Sequence, residues 1–257
     1  MEKQEKPTLL SKIKSMLHVD LRRMFTMRLF YILAGIIIVV PILILVMTSM
    51  MNSSGDDAGS SFTSVWQMLG TLSSNQSAGM DILSMCNINL LYFGMAVLVS
   101  IFVSDDFKSG YAKNLFTTRG RKINYVVSKT LTCVLVGMIY ILLFIIGSII
   151  GGSIVGLSFG LEGFNIGNLL CCILSKLLLM LVFVPIFVLA GTIGKQRLWL
   201  SMIASFGIGM LLFTMIPMIT PLDSTALNPL LILVGGLLFS AGLGAISTVV
   251  LKKTSLV

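Results

Sequence analysis

Six stretches with almost no charge, most of them at or above the roughly 20 residues a helix needs to cross the hydrocarbon of a bilayer, constrain this chain more than any other feature. They fall at about 29–51, 87–104, 130–156, 169–194, 198–220 and 229–251. Polar or Gly/Pro-rich breaks separate them. With 56% hydrophobic residues and 11% charged ones, the side chains would not cover a water-facing surface. The expected fold is an all-α membrane protein: a single transmembrane domain over 1–257 with six transmembrane helices.

Orientation follows from the basic residues, because short loops rich in Lys and Arg stay in the cytoplasm. Seven of the 18 basic residues precede the first stretch and six lie between the second and third. Lys195 and Arg197 lie between the fourth and fifth, and Lys252 and Lys253 follow the sixth. The alternate loops contain no Lys or Arg and carry Asp56, Asp57, Asp81, Glu162 and Asp223. Both termini are therefore expected inside, with the lipid bilayer as partner. The net charge of +8 reflects this topology and points to no nucleic acid. The first apolar run begins too late and is too long for a cleaved signal peptide, so it reads as an uncleaved anchor.

Between 8 and 27, Leu9, Ile13, Met16, Leu17, Leu21, Met24 and Phe25 recur at spacings of three and four with basic residues largely between them. This pattern predicts an amphipathic interfacial helix, with Arg22 and Arg23 as anchors facing lipid phosphates. His18 reads as a solvated residue on it. In the outer segment 52–85, Phe62, Val65, Trp66, Leu69 and Leu72 also have helical spacing. Either a short interfacial helix anchored by Trp66 or an irregular loop fits. Gly147-x-x-x-Gly151, Gly152-x-x-x-Gly156 and Gly236-x-x-x-Ser240-x-x-x-Gly244 read as helix contacts, and Pro41, Pro185 and Pro217 as sites of kinking. Cys86, Cys133, Cys171 and Cys172 lack metal-site spacing and read as small membrane residues. Lys176 lies inside the fourth stretch. It either snorkels to the outer interface or belongs to a polar pathway.

The loop 105–129 is the most informative segment. Phe107, Tyr111 and Leu115 share one helical face with Phe116 beside it. Asp105 and Asp106 open the segment, Arg119 closes it, and Gly120 suits a left-handed stop. A short cytoplasmic helix is expected there. Ser104-Asp105-Asp106-Phe107-Lys108-Ser109-Gly110, then Lys113-Asn114-Leu115, then Arg121, Tyr125, Ser128 and Lys129, resembles the cytoplasmic loop of ABC type-2 exporter permeases. The small size and Met-rich spans look most like permeases of bacterial peptide-export and antimicrobial-peptide immunity systems.

The resemblance implies a permease whose coupling helix docks on a separate ABC ATPase subunit through Asp105, Asp106, Phe107, Lys108, Gly110, Tyr111, Lys113, Leu115, Arg119 and Arg121. It also implies a second permease, in a homodimer or a heterodimer. The chain has no phosphate loop; Gly194-Lys195-Gln196 lacks the first glycine and the hydroxyl residue. ATP and magnesium are therefore expected on the partner, no cofactor in this chain, and no enzymatic or catalytic residues here. The spans offer apolar, flexible surface, which suits a hydrophobic or amphipathic cargo such as an antimicrobial peptide, a lipid or a drug. Two other readings stand beside export: an ATPase-independent secondary transporter, for which Lys176 is the one intramembrane charge, and a non-transporting immunity protein.

Overall fold

The structure, a computed structural model, describes residues 9–53, 62–72, 87–117, 122–161, 163–213 and 216–253. Nine α-helices run through them: α1 Leu9–Thr26, α2 Arg28–Ser53, α3 Leu90–Lys108, α4 Tyr111–Thr117, α5 Lys122–Val155, α6 Ile166–Gly194, α7 Leu198–Phe213, α8 Ile216–Ile219 and α9 Leu227–Lys253. A 3₁₀ turn covers Val65–Met68. There is no β-strand among the described residues, only the bridge Ser64–Ser158.

Five helices, α2, α3, α5, α6 and α9, are long and apolar enough to cross a membrane, and α7 is a shorter apolar helix. All-helical architecture is what such a sequence demands, because a backbone in lipid must satisfy its polar groups within its own segment. The boundaries differ from the sequence expectation mainly around the charged loop. α3 continues past residue 104 to Lys108, and α5 begins at Lys122, well before residue 130. Charged residues do not stop either helix, since Asp106 and Lys129 are paired with each other in the interior.

The core lies where α3, α5 and α6 meet. Met95, Leu98, Val99, Val136, Tyr140, Met180 and Val184 are sealed there, and the Tyr92 and Phe183 rings lie 4.7 Å apart. α2 and α9 lie outside, with Ile32, Met47, Leu231 and Leu238 more than half exposed. That is the outward apolar face a lipid-facing helix requires.

α1 and α2 pack against α5 in one continuous register. The sequence separation is 108 where Ser128 donates to Asp20, and 110 where the Tyr140 hydroxyl donates to the Phe30 carbonyl at 2.9 Å. Further along, a Cβ on Gly147 would lie 2.5 Å from the Ile38 carbonyl oxygen, and one on Gly151 2.9 Å from the Ile42 Cα. The Gly-x-x-x-Gly spacing thus brings two backbones together, while Gly152 receives Val65 of the 3₁₀ turn and Gly236 meets Leu181 of α6.

Two sequence readings need revision. α1 does not bury its face in lipid alone: Asp20 and Met24 are sealed, while Val19 and Phe25 stay open. Asp20 goes inward because a cation waits for it on α5. In the outer segment, Trp66 sits on a 3₁₀ turn, its indole N–H donating to the Phe159 carbonyl at 3.2 Å. The turn is held by the loop after α5, where Ser64 and Val65 bond to Gly160 and Ser158.

Candidate functional site: a buried ion cluster behind the loop helix

Gly110 makes the site possible. Its φ of +74° is left-handed backbone that glycine adopts without a Cβ penalty, and it lets α3 end and α4 start within two residues. Phe107 therefore sits on α3 while Tyr111 and Leu115 sit on α4, so the three do not share a helix. Asp105 and Asp106 do not open a helix either; they lie in the last turns of α3. A carboxylate there opposes the helix dipole, and for Asp106 two cations offset the cost.

Asp106 is the hub. Its Oδ1 lies 2.7 Å from Arg23 Nη1 of α1, and its Oδ2 lies 2.7 Å from Lys129 Nζ of α5. The Tyr125 hydroxyl donates to the same Oδ2 at 2.9 Å. Lys129 is also 2.9 Å from Asp20 Oδ1, and Ser128 donates to Asp20 Oδ2 at 2.6 Å. Asp20, Asp106 and Lys129 are fully buried, whereas the Arg23 side chain is 31% exposed. These are the ion pairs among the described residues, and two acids against two bases leave the cluster neutral.

Aromatic rings close it. Lys129 Nζ lies 3.7 Å from the centre of the Phe102 ring, and the Arg23 guanidinium lies 4.2 Å from that of Tyr111, both within cation–π range. Burial alone would lower the pKa of Arg23, but the Asp106 carboxylate, together with Tyr111 and Asp20, more than offsets it and the group ends above its ordinary value. Burial, then the Asp20 carboxylate, push the Tyr111 phenol up against the opposing effect of Arg23. Tyr111 is therefore a neutral ring over a permanent cation.

α4 is fastened to this cluster along its inner face. Ala112 is sealed, Phe116 meets Tyr125 edge-on at 5.4 Å, and Tyr111 covers Arg23. The outer face presents Lys113, Asn114 and Thr117. Lys108 and Ser109 are exposed just before it, and Leu115, Gly110 and Asp105 are half-buried. Asp106 and Phe107, expected on a docking surface, are 0% and 8% exposed and cannot touch a partner. Arg119, Gly120 and Arg121 lie outside the described residues, as does Cys86.

Sequence reasoning missed Asp20 and Lys129 as partners. Asp20 stands in a basic amphipathic pattern that gives it no partner, and Lys129 enters only as the last residue of the loop motif. The available signal was their surroundings: Lys129 follows Tyr125-Val126-Val127-Ser128, and Asp106 closes the apolar run Ile101-Phe102-Val103.

At the opposite end of the bundle, Lys176 is 1% exposed and its ammonium donates to Thr220 Oγ1 at 2.8 Å. It does not snorkel to a surface, because a nearby hydroxyl holds it inside. Cys172 and Cys133 are buried free thiols and Cys171 is partly exposed. Among the described residues no cluster could hold a metal ion. Arg22 is exposed on α1.

Residues 21–212, which include the loop helix and all of the ion cluster but Asp20, match the family described as ABC-2 family transporter protein. No curated protein and no solved structure matches the chain.

Proposed function

Because the chain belongs to the ABC-2 family of membrane transport proteins, we propose that it is the membrane-spanning permease subunit of an ATP-driven exporter. A separate ABC ATPase subunit binds ATP and magnesium, and a second permease completes the transporter. α4 is the coupling helix. The observation that carries this reading is the attachment of α4 through Tyr111 to Arg23 and Lys129 and through Phe116 to Tyr125, side chains of α1 and α5 that are themselves bonded to Asp106 of α3. A displacement of α4 is resisted by these ring contacts and passed through the charge pairs behind them, so that three helices move together, the coupled rigid-body motion that alternating access needs.

The proposed topology has six spans, with α7 and α8 sharing the fifth, since the 16 residues of α7 reach only about 24 Å. The ends bearing α1, α4 and the α9 terminus face the cytoplasm of a bacterial cell, in keeping with the basic loops. In a Cys-free background, Thr225→Cys is expected to react with an impermeant thiol reagent on intact cells while Ser109→Cys does not. Labelling of Ser109→Cys from outside would reverse the orientation.

For the cargo, the support is a pocket between α2, α3 and α5 lined wholly by apolar residues, among them Leu33, Ile37, Leu91 and Phe144. A sugar or inorganic ion losing water there would find no polar partner, whereas the apolar part of a hydrophobic or amphipathic peptide, lipid or drug needs none. ATP turnover of the permease with its ATPase in lipid vesicles is expected to rise with cationic amphipathic peptides or lipids and to ignore small polar solutes. Stimulation by the polar solutes alone removes the cargo assignment. Transport without ATP hydrolysis would instead favour an ion-coupled transporter, for which the buried Lys176 is the one supporting observation.

A further inference from the structure

We propose that the surface carried by α4 fits an acidic site, so that the ATPase subunit presents carboxylates where the permease presents lysines. This rests on the docking role of α4 proposed above and adds the chemistry of the partner. Beside α4 the two acids that could balance its lysines are removed from the surface: Asp20 and Asp106 are fully buried and already paired with Lys129 and Arg23. Among the described residues there, what charge remains fully exposed is cationic. Lys108 and Lys113 are exposed, and α1, joined to α4 through Arg23 and Tyr111, exposes Lys14 and Arg22. No aspartate or glutamate occurs between Asp106 and Glu162, and the half-buried Asp105 is the nearest acid with any exposure.

An anionic membrane surface offers the same charge, but α4 is built the wrong way round for it. A helix that lies on a bilayer turns its apolar face outward. Here Ala112, Phe116 and Tyr111 turn inward onto the bundle, and the outward face is Lys113, Asn114 and Thr117. A face whose fully exposed residues are polar and cationic is suited to a carboxylate-lined protein groove, where complementary charge fixes register and speeds encounter.

The test uses the full chain purified with the ABC ATPase subunit, recognised by its phosphate-loop sequence, that accompanies the wild-type chain from membranes. Lys108→Glu with Lys113→Glu is expected to weaken retention of the ATPase about tenfold or more, through like-charge juxtaposition. Lys108→Arg with Lys113→Arg should retain it, and the wild-type pair should loosen as salt rises. Thr117→Trp, which blocks the same face by bulk, separates the two levels of the argument. If it releases the ATPase while the glutamate pair does not, α4 docks but the acidic partner site is overturned. If neither variant releases it, or no such ATPase accompanies the wild type, the docking role falls and this inference with it. Unchanged retention together with lost dependence on phosphatidylglycerol in vesicles assigns the lysines to the membrane and equally overturns the proposal.

Discussion

Lys129→Met is expected to destabilise the protein by about 3–5 kcal/mol, the usual cost of removing one partner from a buried charge pair. The reason is geometric. Lys129 is the one cation within reach of both Asp20 and Asp106, at 2.9 and 2.7 Å, and all three are fully buried. Without it Asp20 keeps only the Ser128 hydroxyl, while Asp106 keeps Arg23 and Tyr125. The loss therefore falls mainly on Asp20 and on the seating of α1. Adding Asp20→Asn to Lys129→Met should recover a large part of the loss, because the stranded charge goes with its partner. Denaturant or thermal unfolding in detergent measures both variants. A single variant within about 1 kcal/mol of wild type, the range of an exposed pair, would mean that the cluster is solvated.

Lys176→Met has the opposite sign. The ammonium is buried and, among the described residues, no carboxylate stands within ion-pair distance of it; its partner is the Thr220 hydroxyl. An intramembrane lysine costs about 2.5–3.5 kcal/mol on insertion scales. Thr220 keeps its own bond to the Ile216 carbonyl when the lysine is gone, so no hydroxyl hydrogen is orphaned, and methionine fills a similar volume. The variant should gain about 2–3 kcal/mol, seen as a higher unfolding midpoint. On the reading that Lys176 lines a transport pathway, transport should fall as stability rises. Lower stability, or higher stability with full transport, would each contradict this account.

The long apolar helices were legible in the sequence because length and hydropathy are local properties, and Gly147 and Gly151 announced their contact by spacing alone. The ion cluster was not legible, because it joins residues far apart. Asp20 in a basic amphipathic pattern looks like one more solvated polar group, and Asp105-Asp106 after an apolar run looks like the start of a new helix. Only the fold brings α5 beside α1 and turns Asp106 inward. For the docking role proposed for α4, the same step moves the proposed face from the acidic residues to Lys108 and Lys113, since the Asp106 carboxylate that seemed available is fully buried. The loop helix itself was foreseen. Its first residue was not, because Gly110 was read as one member of a motif and not as the left-handed break that starts α4.

The shared register of α1 and α2 along α5 also sets a schedule for biogenesis. Asp20 lies 108 residues ahead of Ser128, and translation at roughly 5–20 residues per second separates their emergence by roughly 5–20 seconds. Through that interval Asp20 lacks Lys129, its buried partner, and has only the cations of its own helix beside it, so α1 is expected to stay at the membrane surface, in contact with water, while α2 inserts. α1 locks only when Lys129 arrives, after α3 has brought Asp106 to the same end of the bundle. A charge that is inert in the finished protein is thus the feature that dates the completion of its N-terminal half.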